Sequence, residues 1–486
     1  MSKSKVTSWK ALSLVCVLVL GISIPLTALN MNASWQTEMT LVPESGLEQL
    51  AGTLHLPIDI DGDADFSTTA SNEHWPGDGT YEHPFVISGL DIDSGDTGVH
   101  AISIRNTLVN FTIRDCYLTG ATPSPAAGIY LSNVAHGLII NNRISSNHVG
   151  IQLSSSSSIV AINNSCTSQT EIGIWVYGSD SITLADNTCT DNTFGCVLEY
   201  SDYNTVVDNT YNDNTNTGMY LVESNNNTLS GNTYAGCGSG ISLYQSHANA
   251  VVDSICNGNT DVGLRLTESS GNNLSGNACD RSLYGIYFDL STSNTLSNNT
   301  CTGNRQSIYF TDSHSNIVVN TTCNDNNDTG IWLSVSDFNV FQWNTFADNA
   351  RNAYDLGIDN VFDYNYWSDY EGMDVDQDGF GDSSHNFTDN FDPHPLVYKP
   401  DPPTWIQSPI DQSVEFGHLT FYYKLNVIAF APLTWHLDNG FFDIDSDGVV
   451  TSRVLLAVGE YGLEVTVVNI YARLLTGSFK VVVQDT

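Results

Sequence analysis

A glycine returns along the middle of this chain every 22 or 23 residues: Gly128, Gly150, Gly173, Gly195, Gly218, Gly240, Gly263 and Gly285, then Ser307, Gly330 and Ala353. An asparagine keeps the same beat at Asn142, Asn164, Asn187, Asn209, Asn232, Asn277, Asn299 and Asn344, with Ser254 and Thr321 in two of the places. Two markers locked to one period specify a stack of equivalent coils, each able to bury its apolar side chains only against its neighbours. Between the markers run short alternations such as Ile174/Val176 and Ile182/Leu184, bounded by Gly, Asn, Asp and Ser. Period-two alternation between turn formers reads as strand, and no segment has the length and apolar spacing of a helix. The expected fold is all-β: a right-handed parallel β-helix solenoid, about three short strands per coil stacked at roughly 4.8 Å, followed by a small β-sandwich.

Within a coil, Ile174, Val176, Ile182 and Leu184 should face inward. Asn187 should sit at a bend, where its amide bonds the stacked asparagine and the backbone tolerates αL geometry. Cys166, Cys189, Cys256, Cys279, Cys301 and Cys323 share the register two residues after the asparagine position. That shared register points to an inward column of small thiols rather than a disulfide framework.

Charged residues make up only 14% of the chain, yet the net charge is −39, and no lysine occurs from Ala11 to Tyr398. Such a surface repels phosphate backbones and excludes nucleic acid as a partner. Lys3, Lys5 and Lys10, the apolar run Ala11 to Ile24 and then Pro25-Leu26-Thr27-Ala28 have the layout of a secretory signal over residues 1–33. Cleavage after Ala28 or Ala33 would release the chain outside the cell or onto its surface. Left uncut, the segment would be its membrane anchor. Residues 52–100 should cap the solenoid, 101–365 form it, and 366–398 supply an Asp-rich second cap. The proline-rich stretch from Pro393 to Pro403 is a stiff linker. The strands of 404–486 read as the β-sandwich.

Two patterns carry possible chemistry. Asp374, Asp376, Asp378 and Asp382 surround Gly379, an alternate-position oxygen set that suits Ca²⁺ in a structural role at the rod's end. Asp59, Asp61, Asp63 and Asp65 are a poorer copy, and Asp443, Asp445 and Asp447 with Gly448 read as a hairpin turn. The second pattern is an outward column in the glycine-bearing strand: Tyr130, Gln152, Trp175, Val197, Tyr220, Ser242, Arg265, Tyr287, Tyr309, Trp332 and Asp355. Six of these eleven are Tyr or Trp, either because aromatics suit exposed strands or because they form a stacking platform for a polysaccharide or glycoprotein surface. Non-catalytic glycan binding is the first expectation. A carbohydrate-active lyase, hydrolase or epimerase on the same face is the alternative, with Glu199, Arg265 and Asp289 as candidate catalytic groups.

Beyond these patterns, the coils resemble the parallel β-helix repeats of the NosD family, named for periplasmic proteins of copper-site assembly. Trp75-Pro76-Gly77-Asp78-Gly79-Thr80 and Asn365-Tyr366-Trp367-Ser368-Asp369-Tyr370, with the run Asp374 to Asp382, resemble the flanks of exported, mostly archaeal relatives. Residues 404–486 look like the immunoglobulin- or cadherin-like modules of surface proteins. The resemblance implies the β-helix fold over about residues 52–398 and, through the family's name, copper handling. The twelve histidines are scattered and the five methionines sparse, which gives copper no evident site.

Overall fold

The recurring glycine marks where successive coils touch backbone to backbone. A Cβ on Gly173 would lie 2.5 Å from the Gly195 carbonyl oxygen and 2.7 Å from the Cys189 Cβ. The same clash recurs at Gly150, Gly195, Gly240, Gly263 and Gly285. In this computed structural model, which describes residues 52–484 except 377, 400–403, 416–420, 429–432, 447, 455 and 470–473, the coils stack as a three-sided parallel β-solenoid. Residues 1–51, which carry the signal-like segment, lie outside the described residues.

Two sheets run the length of the stack with thirteen strands each, one through Ile172–Tyr177 and the other through Thr183–Ala185. The third side has strands at both ends, joined by single parallel bridges such as Thr188 to Thr210 through the middle. The first strands, Thr53–His55 and Ile58–Asp61, already pair into the stack, so it begins before Ala101. Ile174 and Val176 are fully buried, and Ile182 and Leu184 nearly so.

Among the described residues, one helix departs from the all-β expectation. Asp63–Glu73 buries Phe66 and Ala70, one turn apart, and the Phe66 ring packs 5.0 Å from Phe85 and 5.6 Å from Phe111. Asp63 and Asp65 occupy its first turn, where acidic side chains complement the helix dipole. Asp63 accepts from the Thr107 hydroxyl at 2.6 Å and the Leu108 N–H at 3.0 Å, and its carboxyl is held below the usual range by those bonds. Asp65 accepts from the Asp61 N–H, and Asp59 pairs with Arg105 at 2.9 Å. The carboxylates expected as a poorer Ca²⁺ copy thus fix the helix and its neighbouring coils. Their spacing read as a loop because the helix is amphipathic over only two buried positions.

Asn187 is one rung of a buried ladder. Its Oδ1 accepts from the Asn164 N–H and Nδ2, both at 3.0 Å, and its Nδ2 donates to the Asn209 Oδ1 at 2.9 Å and the Ala161 carbonyl at 2.8 Å. The αL residue at the bend is the one before, Asp186 with φ 53°, and not the rung itself. A second ladder runs through Asn204, Asn227, Asn249, Asn272, Asn294, Asn316, Asn339 and Asn360, and a third includes Asn192, Asn214, Asn304, Asn326 and Asn349. Serines 156, 179, 201 and 224 begin a fourth.

The nine described cysteines are free and buried. The column two residues after the asparagine continues through Tyr211 and Tyr234, stacked 5.4 Å apart in the core. Stacked aromatics fill the far end, with Phe346 on Trp367 at 4.6 Å, and the hairpin His385–Asp392 closes it. Beyond the linker, a four-stranded and a three-stranded sheet enclose a second core around Phe442, Val450, Val465 and Val481. There Asp443 pairs with Arg453 at 2.7 Å beside the hairpin turn at Gly448; Asp447 is outside the described residues.

Candidate functional site

The register of the long sheet places the outward column on one line: Tyr130, Gln152, Trp175, Val197, Tyr220, Ser242, Arg265, Tyr287, Tyr309, Trp332 and then Tyr354. Asp355 is not its last member. The step from Trp332 is 22 residues, one less than the interval to Ala353 implies. Asn352 therefore takes the glycine position and Asp355 turns inward, almost fully buried. Seven of the eleven positions from Tyr130 to Tyr354 are Tyr or Trp.

The row divides at Ser242 into two blocks with different physics. In the first, Tyr130, Trp175, Phe194 and Tyr220 cover a separate apolar layer of Ala127, Val149, Ile172 and Val197. This layer lies outside the solenoid core, so these rings are partly a lid. In the second block the rings form a ladder. Tyr287 stacks on Tyr309 at 5.2 Å and 8°, Tyr309 on Trp332 at 6.0 Å, and Trp332 meets Tyr354 at 4.4 Å. Tyr284 joins it, 5.3 Å from Tyr287 and 5.6 Å from Tyr309. Arg265 lies over the Tyr287 ring and Arg351 over Tyr354. Ring faces inside this ladder are taken by one another, so an incoming ligand meets edges and phenol oxygens rather than open faces. Burial raises the pKa of Tyr220, Tyr287 and Tyr309, and as phenols they are hydrogen-bond donors at neutral pH. The indole N–H groups of Trp175 and Trp332 are shielded and have no partner within the protein.

Carboxylates line the C-terminal rim of this face: Glu199, Glu223, Glu268, Asp289 and Asp312. Burial, then the Asp312 carboxylate, raises the pKa of Asp289; Arg265 opposes the shift. Arg265 itself donates to Asp261 at 2.7 Å. Glu199 stands four coils from Asp289, roughly 19 Å at the interstrand spacing, beside Tyr200 and Glu223 instead. Carboxyl pairs in glycosidic chemistry sit about 5–9.5 Å apart, so Glu199 and Asp289 do not form one. The residues overlooked in the sequence are Tyr284, Phe194 and Arg351, which open their strands and lie outside the tabulated column. Their signal was the residue before each glycine position.

In the acidic loop, carboxylate oxygens of Asp374, Asp376 and Asp382 all lie within 4.8 Å of one another. Asp378 turns to accept the Phe380 N–H at 2.9 Å, while Asp374 accepts from the Asp378 and Gly379 N–H groups. Desolvation, then the Asp378 charge, raises the pKa of Asp376. Three crowded hard oxygens fit a cation such as Ca²⁺.

Three overlapping matches to the family model of the periplasmic copper-binding protein NosD cover residues 60–220, 102–274 and 213–372. The chain belongs to the NosD family. No curated protein matches it in sequence. Among solved structures it is similar to the Azotobacter vinelandii mannuronan C-5 epimerase AlgE4 A-module, at 13% identity over 62% of this chain and 95% of that one with a TM-score of 0.48. The periplasmic alginate epimerase AlgG gives 14%, 64%, 84% and 0.43. The catalytic unit of a GH87 alpha-1,3-glucanase from Streptomyces thermodiastaticus gives 13%, 57%, 60% and 0.33. Likenesses this distant carry no argument about activity.

The family's copper does not fit the donors among the described residues. Copper takes imidazole, thiolate or thioether ligands. The thiols are buried in the apolar core, where burial raises Cys116 to about 11 and Cys189, Cys301 and Cys323 above the ordinary thiol range. His148, His314, His385 and His394 each face a separate carboxylate. Among the described residues, the one group placed to share an ion is the aspartate triad.

Proposed function

We propose that this NosD-family solenoid is an exported, non-catalytic protein that binds polysaccharide along the outer face of its longest sheet. The observation that carries the reading is the unbroken ring ladder Tyr287–Tyr309–Trp332–Tyr354, with Tyr284 alongside and Arg265 and Arg351 over its end rings. Alternate coils repeat at roughly 10 Å, commensurate with the disaccharide step of an extended glycan. Ring edges supply apolar contact, while phenol hydroxyls supply hydrogen bonds, the mixture by which sites recognise hydroxyl-rich ligands. The signal-like residues 1–33 support export, and no helix among the described residues is long and apolar enough to cross a membrane. The C-terminal β-region would serve as an immunoglobulin- or cadherin-like spacer or attachment module, and Ca²⁺ on Asp374, Asp376 and Asp382 would brace the cap.

The test is affinity electrophoresis through gels containing neutral glycans, comparing the parent with a Tyr309→Ala/Trp332→Ala variant of unchanged melting temperature. Retention of the parent and its loss in the variant are expected; equal mobility on every glycan refutes the reading. Asp289, with its raised pKa beside Arg265 and Tyr287, favours a second reading as an enzyme. New chain ends produced by the parent and lost in Asp289→Asn would establish it.

A further inference from the structure

The same face carries a second message in its charge. From Glu171 to Tyr354 the long sheet's outer side is flanked by eight carboxylates: Glu171, Asp261 and Asp328 before its strands, and Glu199, Glu223, Glu268, Asp289 and Asp312 at or just past their ends. Against these stand three guanidinium groups, two of which face carboxylates of the rim itself. Arg265 donates to Asp261, Arg305 approaches Asp328 at 4.0 Å, and Arg351 lies over Tyr354. There is no lysine on the whole solenoid. Besides its burial, the largest cause, the neighbouring Asp312 and Glu268 carboxylates raise the pKa of Asp289 against the pull of Arg265.

We infer that the ligand of this face is a glycan free of carboxylate, sulfate and phosphate groups, and that the rim carboxylates actively exclude polyanionic polysaccharides. The inference rests on the glycan-binding reading above and narrows its substrate class. A polyuronate laid along the ring ladder brings one negative charge per sugar beside Glu268, Asp289 and Asp312, where the Arg265 guanidinium already donates to Asp261. Like charges set side by side act as a filter on partners, whereas uncharged hydroxyls accept from the Tyr donors and donate to the same carboxylates. Those carboxylates are therefore hydrogen-bond acceptors for a neutral sugar and a barrier to an acidic one.

A matched pair of polymers tests this directly: a polyuronate, and the same polymer with its carboxylates reduced to primary alcohols. Retention of the full chain would be measured in gels of each, without added divalent cation. At low salt the reduced polymer should retain the protein about tenfold more strongly than its parent, and the gap should narrow as salt screens the rim. Glu268→Gln/Asp289→Asn/Asp312→Asn should raise retention on the polyuronate. Retention on the parent polyuronate equal to or above that on the reduced form overturns the inference while leaving the glycan reading intact. A triple variant still excluded from the polyuronate overturns the assignment to these three carboxylates. Retention on neither polymer, nor on any neutral glycan, removes the glycan reading itself.

Discussion

Exchanging Asn187 for aspartate alters one amide in a fully buried ladder, and the structure fixes what that exchange must do. The Asn187 Oδ1 accepts two bonds from Asn164, a role that a carboxylate oxygen can keep. The Nδ2, however, donates to the Ala161 carbonyl at 2.8 Å and the Asn209 Oδ1 at 2.9 Å. In Asn187→Asp a carboxylate oxygen would face both acceptors where no water reaches. An uncompensated buried charge costs about 3–5 kcal/mol. Asn187→Ala loses the accepted bonds as well as the donated ones but buries no charge; its orphaned partners cost about 2–4 kcal/mol. The isosteric substitution should therefore be the more damaging of the two. Its pH dependence has a definite sign. Burial raises the folded pKa of the new carboxyl above its unfolded value of about 3.9. The penalty is then full above the folded pKa and shrinks as pH falls through it, because the protonated acid regains a donor. Urea unfolding of parent, Ala and Asp variants at about pH 7 and about pH 5 measures this through the shift in midpoint at constant slope. An Asp variant within about 0.5 kcal/mol of the parent, or a deficit that grows on acidification, would refute the polarity assigned to the ladder.

Two further outcomes follow from the packing and the cap. Gly173→Ala sets a methyl 2.5 Å from the Gly195 carbonyl oxygen, so neighbouring coils must part; a loss of about 1–3 kcal/mol in the same urea assay is expected. An unchanged midpoint would mean that the coils separate freely. Calcium at about a hundred times its dissociation constant should stabilise the cap by about 2.7 kcal/mol, read as protection of Asp374–Asp382 amides from exchange. Chelator should reverse the effect and Asp382→Asn abolish it; protection that persists in the variant would place the ion elsewhere.

The period, strand character and inward residues were legible because every coil repeats one set of physical demands. Gly173 answers a backbone contact and Asn187 an unpaired N–H, and each answer recurs from coil to coil. What was illegible lies where the repeat stops. The helix Asp63–Glu73 occurs once, buries two side chains and offers no periodic signal. The 22-residue final step moved Tyr354 outward and Asp355 inward, a slip of one residue that exchanges the two faces of a strand. Stacking of Tyr287 on Tyr309 depends on ring rotation, which alternation does not encode. Glu199 and Asp289, grouped around Arg265 in the sequence, stand four coils apart, and the partner of Arg265 is Asp261, four residues away along the same strand approach.

Ladder polarity also explains why the far flank is rich in aspartate. Each rung donates its backbone N–H to the next rung toward the C-terminal end and accepts from the other side, so each ladder arrives at its last coil with donors unmet, as a helix does at its N-terminus. An asparagine placed last would receive those donors only by presenting two more. A carboxylate accepts without donating, and it brings negative charge to the end where the ladder's positive dipole emerges. The first ladder closes on Asp392, whose Oδ2 accepts the Asn365 N–H at 2.9 Å and the Trp367 indole at 3.0 Å. The second closes on Asp355, which accepts from Asn360 at 2.9 Å, and the third passes through Asn349 and Asn352 to Asp369. Three aspartates from three different segments meet one electrostatic demand. The Asp-rich cap is thus in part the terminus the asparagine ladders require, independent of any ion held by Asp374, Asp376 and Asp382.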